Sequence, residues 1–514
     1  MVAAGHPATA AAARVALDAG GNAVDAALAG LCAASVAEPV LASLGGGGFL
    51  LARPAKGPSA GRTLVYDFFV QTPKRRRSES EIDFRAVLAD FGPATQPFHI
   101  GMGAIATPGV VGGVFAAHRD LGRLPMREIV APAVALARDG VPVDAVQGYV
   151  LRVVDAIIAA SAATRTLFAS PDRPEMRIAE GERLRLPELA DTLEILAIEG
   201  PDLFYRGEMA ARLAADCAGG GGHLSLEDMR GYAIERRAAL ALDAFGARVE
   251  LNPPPAAGGV LVGFGLLLWQ ALGRVADGFG SAEHLLRLLA VMRAGARART
   301  ELSAGCDRPG VDPLGPPMIE RWCRELQGAP PAPRGTTHIS VVDADGGLAS
   351  LSVSNGEGSS YVIPGTGIVL NNMLGEGDLQ PDGANLWPVD VRMSSMMTPA
   401  LVLERDGATT ALGSGGSSRI RTAMLQVLTN RLAFGLPLAE AVAAPRMHLE
   451  DQTLSLEPGF AERAVAAVTG GCAAEIQAWP AQNMFFGGVH AVRRDARGGC
   501  EGAGDARRGG SVSA

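Results

Sequence analysis

Apolar positions along the first forty residues fall into two blocks. Residues 7 to 19 and 23 to 37 are Ala-rich with few breakers, and the pattern predicts two helices joined by Gly20-Gly21-Asn22, with glycine at the C-cap position. Phe49-Leu50-Leu51 and Leu64-Val65-Tyr66 follow as short apolar runs that read as strands. From about Pro125 to Leu326 the pattern is mostly helical, with Met126 to Arg138 and Glu283 to Arg299 as amphipathic helices. A Pro-rich stretch, Gly328 to Pro333, closes that section. Beyond it the period changes to two: Thr336 to Val342 and Leu348 to Ser354 read as strands of a hairpin around Asp343-Ala344-Asp345-Gly346-Gly347. Val362 to Leu370, Thr398 to Leu403 and Val489 to Val492 are further strands, and Arg419 to Phe434 and Leu438 to Ala443 are helices. The order of elements predicts α+β layers rather than a doubly wound parallel sheet.

Composition narrows the class. The 514 residues are 48% hydrophobic and 19% charged, which supports a large core and a single large domain with excursions. A formal net charge of -8 provides no general field for nucleic acid or an anionic membrane. The basic run Lys74-Arg75-Arg76-Arg77 reads as a solvated loop. Six scattered cysteines (Cys32, Cys217, Cys306, Cys323, Cys472, Cys500) include no C-x-x-C pair and have no His at ligand spacing, so neither a disulfide framework nor a metal site is expected. The chain as written shows no secretory signal and no apolar run of membrane-spanning length, so a cytoplasmic location is expected, or a periplasmic or secreted one if the sequence is trimmed. Arg497 to Ala514, rich in Gly, Arg and Ser, is expected to be disordered.

Several chemistries drop out. Gly101-Met102-Gly103-Ala104-Ile105-Ala106 loosely fits a dinucleotide loop, but Thr-Pro-Gly follows where the helix should continue. There is no G-x-S-x-G elbow, and a P-loop is excluded because Lys56 and Lys74 are the only lysines. No cofactor is expected. The run Gly45-Gly46-Gly47-Gly48 either lets backbone approach backbone or is a flexible turn.

The informative segment is Arg334-Gly335-Thr336-Thr337-His338-Ile339-Ser340-Val341-Val342-Asp343. With Pro364 to Asn372, Arg392-Met393-Ser394-Ser395-Met396 and Gly413 to Ile420, it resembles the γ-glutamyltransferase family, whose nucleophile opens the run T-T-H-x-S-V-V-D. Matches upstream, at Gly20 to Asp25, Gly45 to Phe49, Thr107-Pro108-Gly109 and Pro253-Pro254-Pro255, extend the resemblance over nearly the whole chain. It implies a four-layer αββα sandwich of the Ntn-hydrolase type. It also implies self-cleavage between Gly335 and Thr336, giving fragments 1 to 335 and 336 to 514 that stay associated. The chemistry is physically coherent: a Thr hydroxyl needs an adjacent base, and the α-amine freed on Thr336 itself can serve. Such an amine titrates at about 7.7 to 8.0 in model peptides.

By the same resemblance, Gly415 and Gly416 supply the oxyanion N–H donors, and Thr337 or Ser354 holds the Thr336 hydroxyl and amine. Ser394 and Ser395 contact the substrate's carboxylate end, and Asn355 lies near a family Asn in a loop one residue shorter. The sequence departs from the family where a D-F-R-E segment should present an Arg to the glutamyl α-carboxylate. Here the run is Asp67-Phe68-Phe69-Val70-Gln71, with Phe69 in the Arg position. Glu376 takes the place of the acid that reads the α-amine, and Met373 replaces a polar residue. The leading expectation is hydrolysis or transfer of γ-glutamyl amides such as glutathione, with water, an amino acid or a peptide as acceptor. One alternative is an acylase of the same fold acting on another N-acyl amide; another is an uncleaved, non-catalytic small-molecule binder.

Overall fold

Local signals set the first elements. Asn22 accepts from the N–H groups of Val24 and Asp25 while the Asp25 carboxylate accepts from Asn22 N–H, a reciprocal cap that starts the helix Ala23–Ala37. Every residue of that helix is buried, as a helix that is apolar all round requires. The structure is a computed structural model; it describes all residues except 91–94, 307–313, 326–335, 377–384, 451 and 471–473, and the side chains of 89–90, 95–96, 299–306 and 322–325 are not described either.

Two antiparallel sheets lie face to face. The first has seven strands in the order Ser511–Ser513, Val2–Ala4, Thr337–Val342, Leu348–Ser354, Gly47–Arg53, Leu64–Phe68, Glu235–Ala238. The second has six: Cys500–Ala503, Gly488–Arg494, Thr409–Gly415, Ala400–Leu403, Ala247–Leu251, Leu240–Ala244. Ala3, Leu51, Val65, Val342, Leu348, Leu401, Ala411 and Val492 form the apolar seam between them. Helices Pro7–Asp18, Ala23–Ala37 and Val110–Leu121 cover the first sheet, with Met126–Asp139 packed behind them, and Ala257–Ala271 and Arg419–Leu432 cover the second, with Ala282–Cys306 packed on Ala257–Ala271. The result is the αββα sandwich expected from the sequence, with the hairpin Thr337–Val342/Leu348–Ser354 in the predicted register around its turn.

The glycine run is used for close approach. Gly47 and Gly48 open the strand Gly47–Arg53, and a Cβ on Gly46 would lie 2.2 Å from the Ser354 carbonyl oxygen, so a side chain there would push the hairpin away.

Other expectations need correction. Val362 to Leu370 is a turn rather than a strand: Val362 bridges Val369, and Gly365 and Gly367 at φ +74° and +65° reverse the chain between them. The stretch read as helical also holds three strands between Glu235 and Leu251, where alternation is short and broken by charge. The basic run is the loop expected, with Arg75 and Arg76 exposed, and it is tied down where Lys74 pairs with Asp390 at 2.8 Å, Arg76 donates to the Asn385 carbonyl and Arg77 donates to the Ala218 carbonyl.

The largest correction is the C-terminal segment from 497, which is ordered. It supplies Cys500–Ala503 to the second sheet and Ser511–Ser513 to the first. Between those strands, Asp505, fully buried, pairs with Arg446 at 2.6 Å and Arg507 at 3.2 Å, and Arg507 pairs with Glu457 at 2.6 Å. Low-complexity composition concealed this, because the anchoring carboxylates and cations come from distant parts of the chain.

Asp505 neutralises two buried guanidinium groups. Asp505→Ala should therefore cost about 3 to 5 kcal/mol, read as a fall in the urea midpoint; a loss below about 1 kcal/mol would mean the network is not sealed from water. Burial holds His338 well below its usual range and brings His490, His223 and His284 down to about 4. The unfolded chain takes up these protons near 6.5 and the folded chain does not, so stability declines as pH falls from about 6.5 toward 4, by about 1.4 kcal/mol per pH unit for each histidine in its window. Denaturation series at pH 7, 6 and 5 measure this, and a flat profile would contradict it.

Candidate active site

The strand Thr337–Val342 is paired on both sides, so its side chains alternate strictly between faces. Ile339 and Val341 pack with the helices of the first layer, whereas Val342 joins the seam between sheets. Ser340 donates to the His490 carbonyl in the second sheet, and the His338 ring lies against Gly413, its nitrogens 2.8 Å and 2.9 Å from the hydroxyls of Ser352 and Ser340. Thr336 is on the same side, between the sheets, and is 3% exposed. Gly335 lies outside the described residues.

Thr337 is on the opposite face. Its hydroxyl donates to Glu38 Oε2 at 2.6 Å, and Thr9 donates to Glu38 Oε1 at 2.8 Å. Thr337 is thus turned into the helical layer, which corrects the expectation that its hydroxyl holds Thr336. Burial pushes the Glu38 carboxyl up, against the hydrogen bonds of the two threonines.

Thr336, Ser354, Phe69, Met373, Glu376 and Ser395 line one cleft, together with Met396, Met397, Ser417 and Ile420. Six residues from five separate stretches of the sequence therefore converge there. About 20 Å³ of the cleft is open to water, room for about one molecule. Ser354 Oγ accepts from Gly356 N–H at 3.0 Å, and Ser395 Oγ from Met397 N–H at 3.1 Å. Ser394 is half-buried and does not line the cleft. Asn355 is fully buried beside it, not among the lining residues, and neither of its side-chain polar atoms has a partner.

Gly415 ends its strand against Thr336: a Cβ on it would lie 1.9 Å from the Thr336 carbonyl oxygen. Gly416 at φ +122° and Ser417 at φ +54° then turn the chain into the helix Arg419–Leu432, a strained pair at the mouth of the site.

The floor shows what stands where the resemblance led to the expectation of an arginine. Phe69 is 1% exposed and stacks on Phe49 with centroids 5.6 Å apart. Its carbonyl accepts from Tyr232 Oη at 2.8 Å and from Arg392 Nη1. Asp67, fully buried, pairs with Arg237 at 2.9 Å and lies 3.7 Å from Arg392. Arginine chemistry at this spot is thus directed at the backbone and at Asp67. Among the described residues that line the cleft, none is Arg, Lys or His. Arg419 is turned aside, donating from Nε to the Phe485 carbonyl at 2.8 Å.

Sequence reading missed Met396, Met397 and Ile420, although Met396 and Met397 directly follow the serine pair. It also missed Arg508, whose Nη1 donates to the Thr336 carbonyl at 3.0 Å, because that residue stands in the segment dismissed as disordered.

A sequence profile described as gamma-glutamyltranspeptidase matches residues 8–514. The glutathione hydrolase proenzyme of Escherichia coli (strain K12) is 30% identical over 476 residues, covering 86% of this chain and 80% of that protein. The acylase ACY 1 proenzyme of Pseudomonas sp. (strain SE83) is 30% identical over 489 residues, covering 91% and 86%. Among solved structures, the cephalosporin acylase from Bacillus halodurans superposes with a TM-score of 0.81 at 24% identity, covering 100% of this chain and 95% of that one, a likeness of fold. Sequence motifs, layer order and these relatives agree: the chain is an enzyme of the γ-glutamyltranspeptidase family of hydrolases.

Proposed function

We propose that the protein is an N-terminal-threonine amide hydrolase that splits itself before Thr336 and acts on an N-acyl amide whose acyl group is largely apolar. The observation that carries this reading is the lining of the cleft: Phe69, Met373, Met396, Met397 and Ile420 surround Thr336 with no cationic side chain among the described lining residues. A γ-glutamyl α-carboxylate buried there would be left without a charged partner, which costs several kcal/mol. Methionine side chains are flexible enough to open a nearly closed cleft for an acyl chain. The similarity to an acylase along 91% of the chain agrees with this reading.

In self-cleavage the Thr336 hydroxyl attacks the Gly335 carbonyl and the peptide shifts from nitrogen to oxygen. Water then splits the ester, leaving a carboxylate on Gly335 and a free amine on Thr336. In turnover that amine takes the hydroxyl proton as Oγ attacks the substrate carbonyl, then passes it to the departing amine. Water hydrolyses the acyl-enzyme. N–H groups at Gly415 and Gly416 would stabilise the oxyanion, each worth about 3 kcal/mol in such sites, with Ser354 and Ser395 lining the acyl path.

Association of the fragments is supported by strand order. Val2–Ala4, from the large fragment, lies between Ser511–Ser513 and Thr337–Val342 of the small one, and the second sheet joins Ala400–Leu403 to Ala247–Leu251. Separating them would break both sheets.

Hydrolysis of γ-glutamyl amides is the second reading, favoured by Glu376, a buried carboxylate in the cleft that suits an α-amine, and by the similarity to a glutathione hydrolase. The non-catalytic reading is set aside, since the family is one of enzymes.

On incubation the purified chain should yield a small fragment beginning at Thr336, while Thr336→Ala stays full length and inactive; cleavage elsewhere, or in the variant, rejects the nucleophile. Competition between hexanoyl, phenylacetyl and γ-glutamyl p-nitroanilides should favour an apolar donor by about tenfold or more, and a preference for the γ-glutamyl compound reverses the order of the two readings. Phe69→Arg should shift that ratio toward the γ-glutamyl donor by about tenfold.

A further inference from the structure

Arg508 is 5% exposed and comes from the turn Ala506–Arg508 between the last two strands. Its neighbours Arg446 and Arg507 are each paired with carboxylates. Arg508 instead donates to two backbone carbonyls, from Nη1 to Thr336 at 3.0 Å and from Nη2 to Met484 at 3.4 Å. Cβ atoms built on Gly415 and Gly416 would lie 3.1 Å from Nη1 and 3.4 Å from Nη2. One guanidinium thus underlies both glycines and the carbonyl of the residue before the strand. A carbonyl oxygen can be satisfied by any neutral donor, whereas burying a cation costs several kcal/mol, so the charge calls for a use.

Resting on the reading of Thr336 as nucleophile, we propose that Arg508 is a positioning residue for it: the guanidinium fixes the Thr336 carbonyl, and so its ψ, and holds a positive charge against the residue whose nitrogen becomes the base. Other charged groups bear on that spot from each packed element. Glu38 ends the helix Ala23–Ala37, Arg419 opens the helix after the glycine turn, Glu357 and Glu376 stand on the loops beyond Ser354 and Asn372, and Asp505 shares the tail. Glu38, the acid behind Thr337, has its carboxyl pushed up by burial, which weakens its charge as a counterweight. Burial brings the Arg508 guanidinium down to about 10, so it remains charged at neutral pH. A nearby cation favours the neutral form of an amine, and the neutral form is the one that accepts the hydroxyl proton. The same grip holds the backbone of Thr336 in place during self-cleavage.

Competitive labelling of the matured enzyme with acetic anhydride, read by peptide mass across pH 5 to 10, reports the titration of the Thr336 amine without any substrate. Arg508→Gln should raise its midpoint by about one pH unit, and Arg508→Lys, which keeps the charge, should leave it within about 0.3 unit. An unmoved midpoint in folded Arg508→Gln overturns the proposal. If that variant fails to fold or mature, Arg508→Lys decides: one ammonium nitrogen cannot stand at both the Nη1 and the Nη2 position, so self-cleavage should slow at least about threefold with the midpoint unchanged, and a wild-type rate of self-cleavage overturns the positioning role. A wild-type chain that never splits removes the nucleophile reading itself, an outcome distinct from either.

Discussion

The strand Thr337–Val342 is hydrogen-bonded on one side to Val2–Ala4 and on the other to Leu348–Ser354. With both edges occupied its pleat cannot slip, because a shift of one residue would exchange the side chains facing the helices for those facing the second sheet. Ile339 and Val341 would leave an apolar layer, and His338 and Ser340 would enter it. That double pairing holds Thr336 in the seam and Thr337 outside it. Two adjacent threonines thereby differ in environment: one lies in the cleft, the other is bonded to a buried glutamate.

Polar side chains bridge the seam between the sheets. Ser350 donates across it to the Leu412 carbonyl, Ser340 to the His490 carbonyl, and His338 is held between two hydroxyls. The tail buries full charges: Asp505, Arg446, Arg507 and Glu457 lie together and satisfy one another. This ionic knot fixes the turn Ala506–Arg508, and through it the guanidinium on the Thr336 carbonyl. A segment remote in sequence is thereby joined to the geometry of the cleft.

The floor of the cleft is built from an aromatic pair and an arginine that faces away from it. Phe69 fills the floor by stacking on Phe49, and Arg392 then serves the Phe69 carbonyl, the Tyr232 hydroxyl and the Asp67 side of the floor. The frame below the cleft keeps its cations, but none of them lines the opening. Recognition there rests on shape and apolar contact, with Glu376 as the charged group among the described lining residues.

Much of this was legible in the order of residues. Periodicity located the first two helices, the hairpin and the helix Arg419–Leu432, since each is defined by local spacing and caps. The run from Gly335 to Asp343 and the Gly415-Gly416 pair pointed to the chemistry through their resemblance to a known family, and Gly415 stands where only a residue without a Cβ fits against Thr336. Three things became visible only in three dimensions. Thr337 could not be assigned a face until both partners of its strand were known. The tail looked disordered because much of its stability comes from Arg446, Glu457 and the edge strand Val2–Ala4, all of them remote in sequence. The apolar character of the cleft depends on which way Met396, Met397 and Ile420 point, and tertiary packing decides that, since local sequence constrains a side chain's type but not the surface it meets.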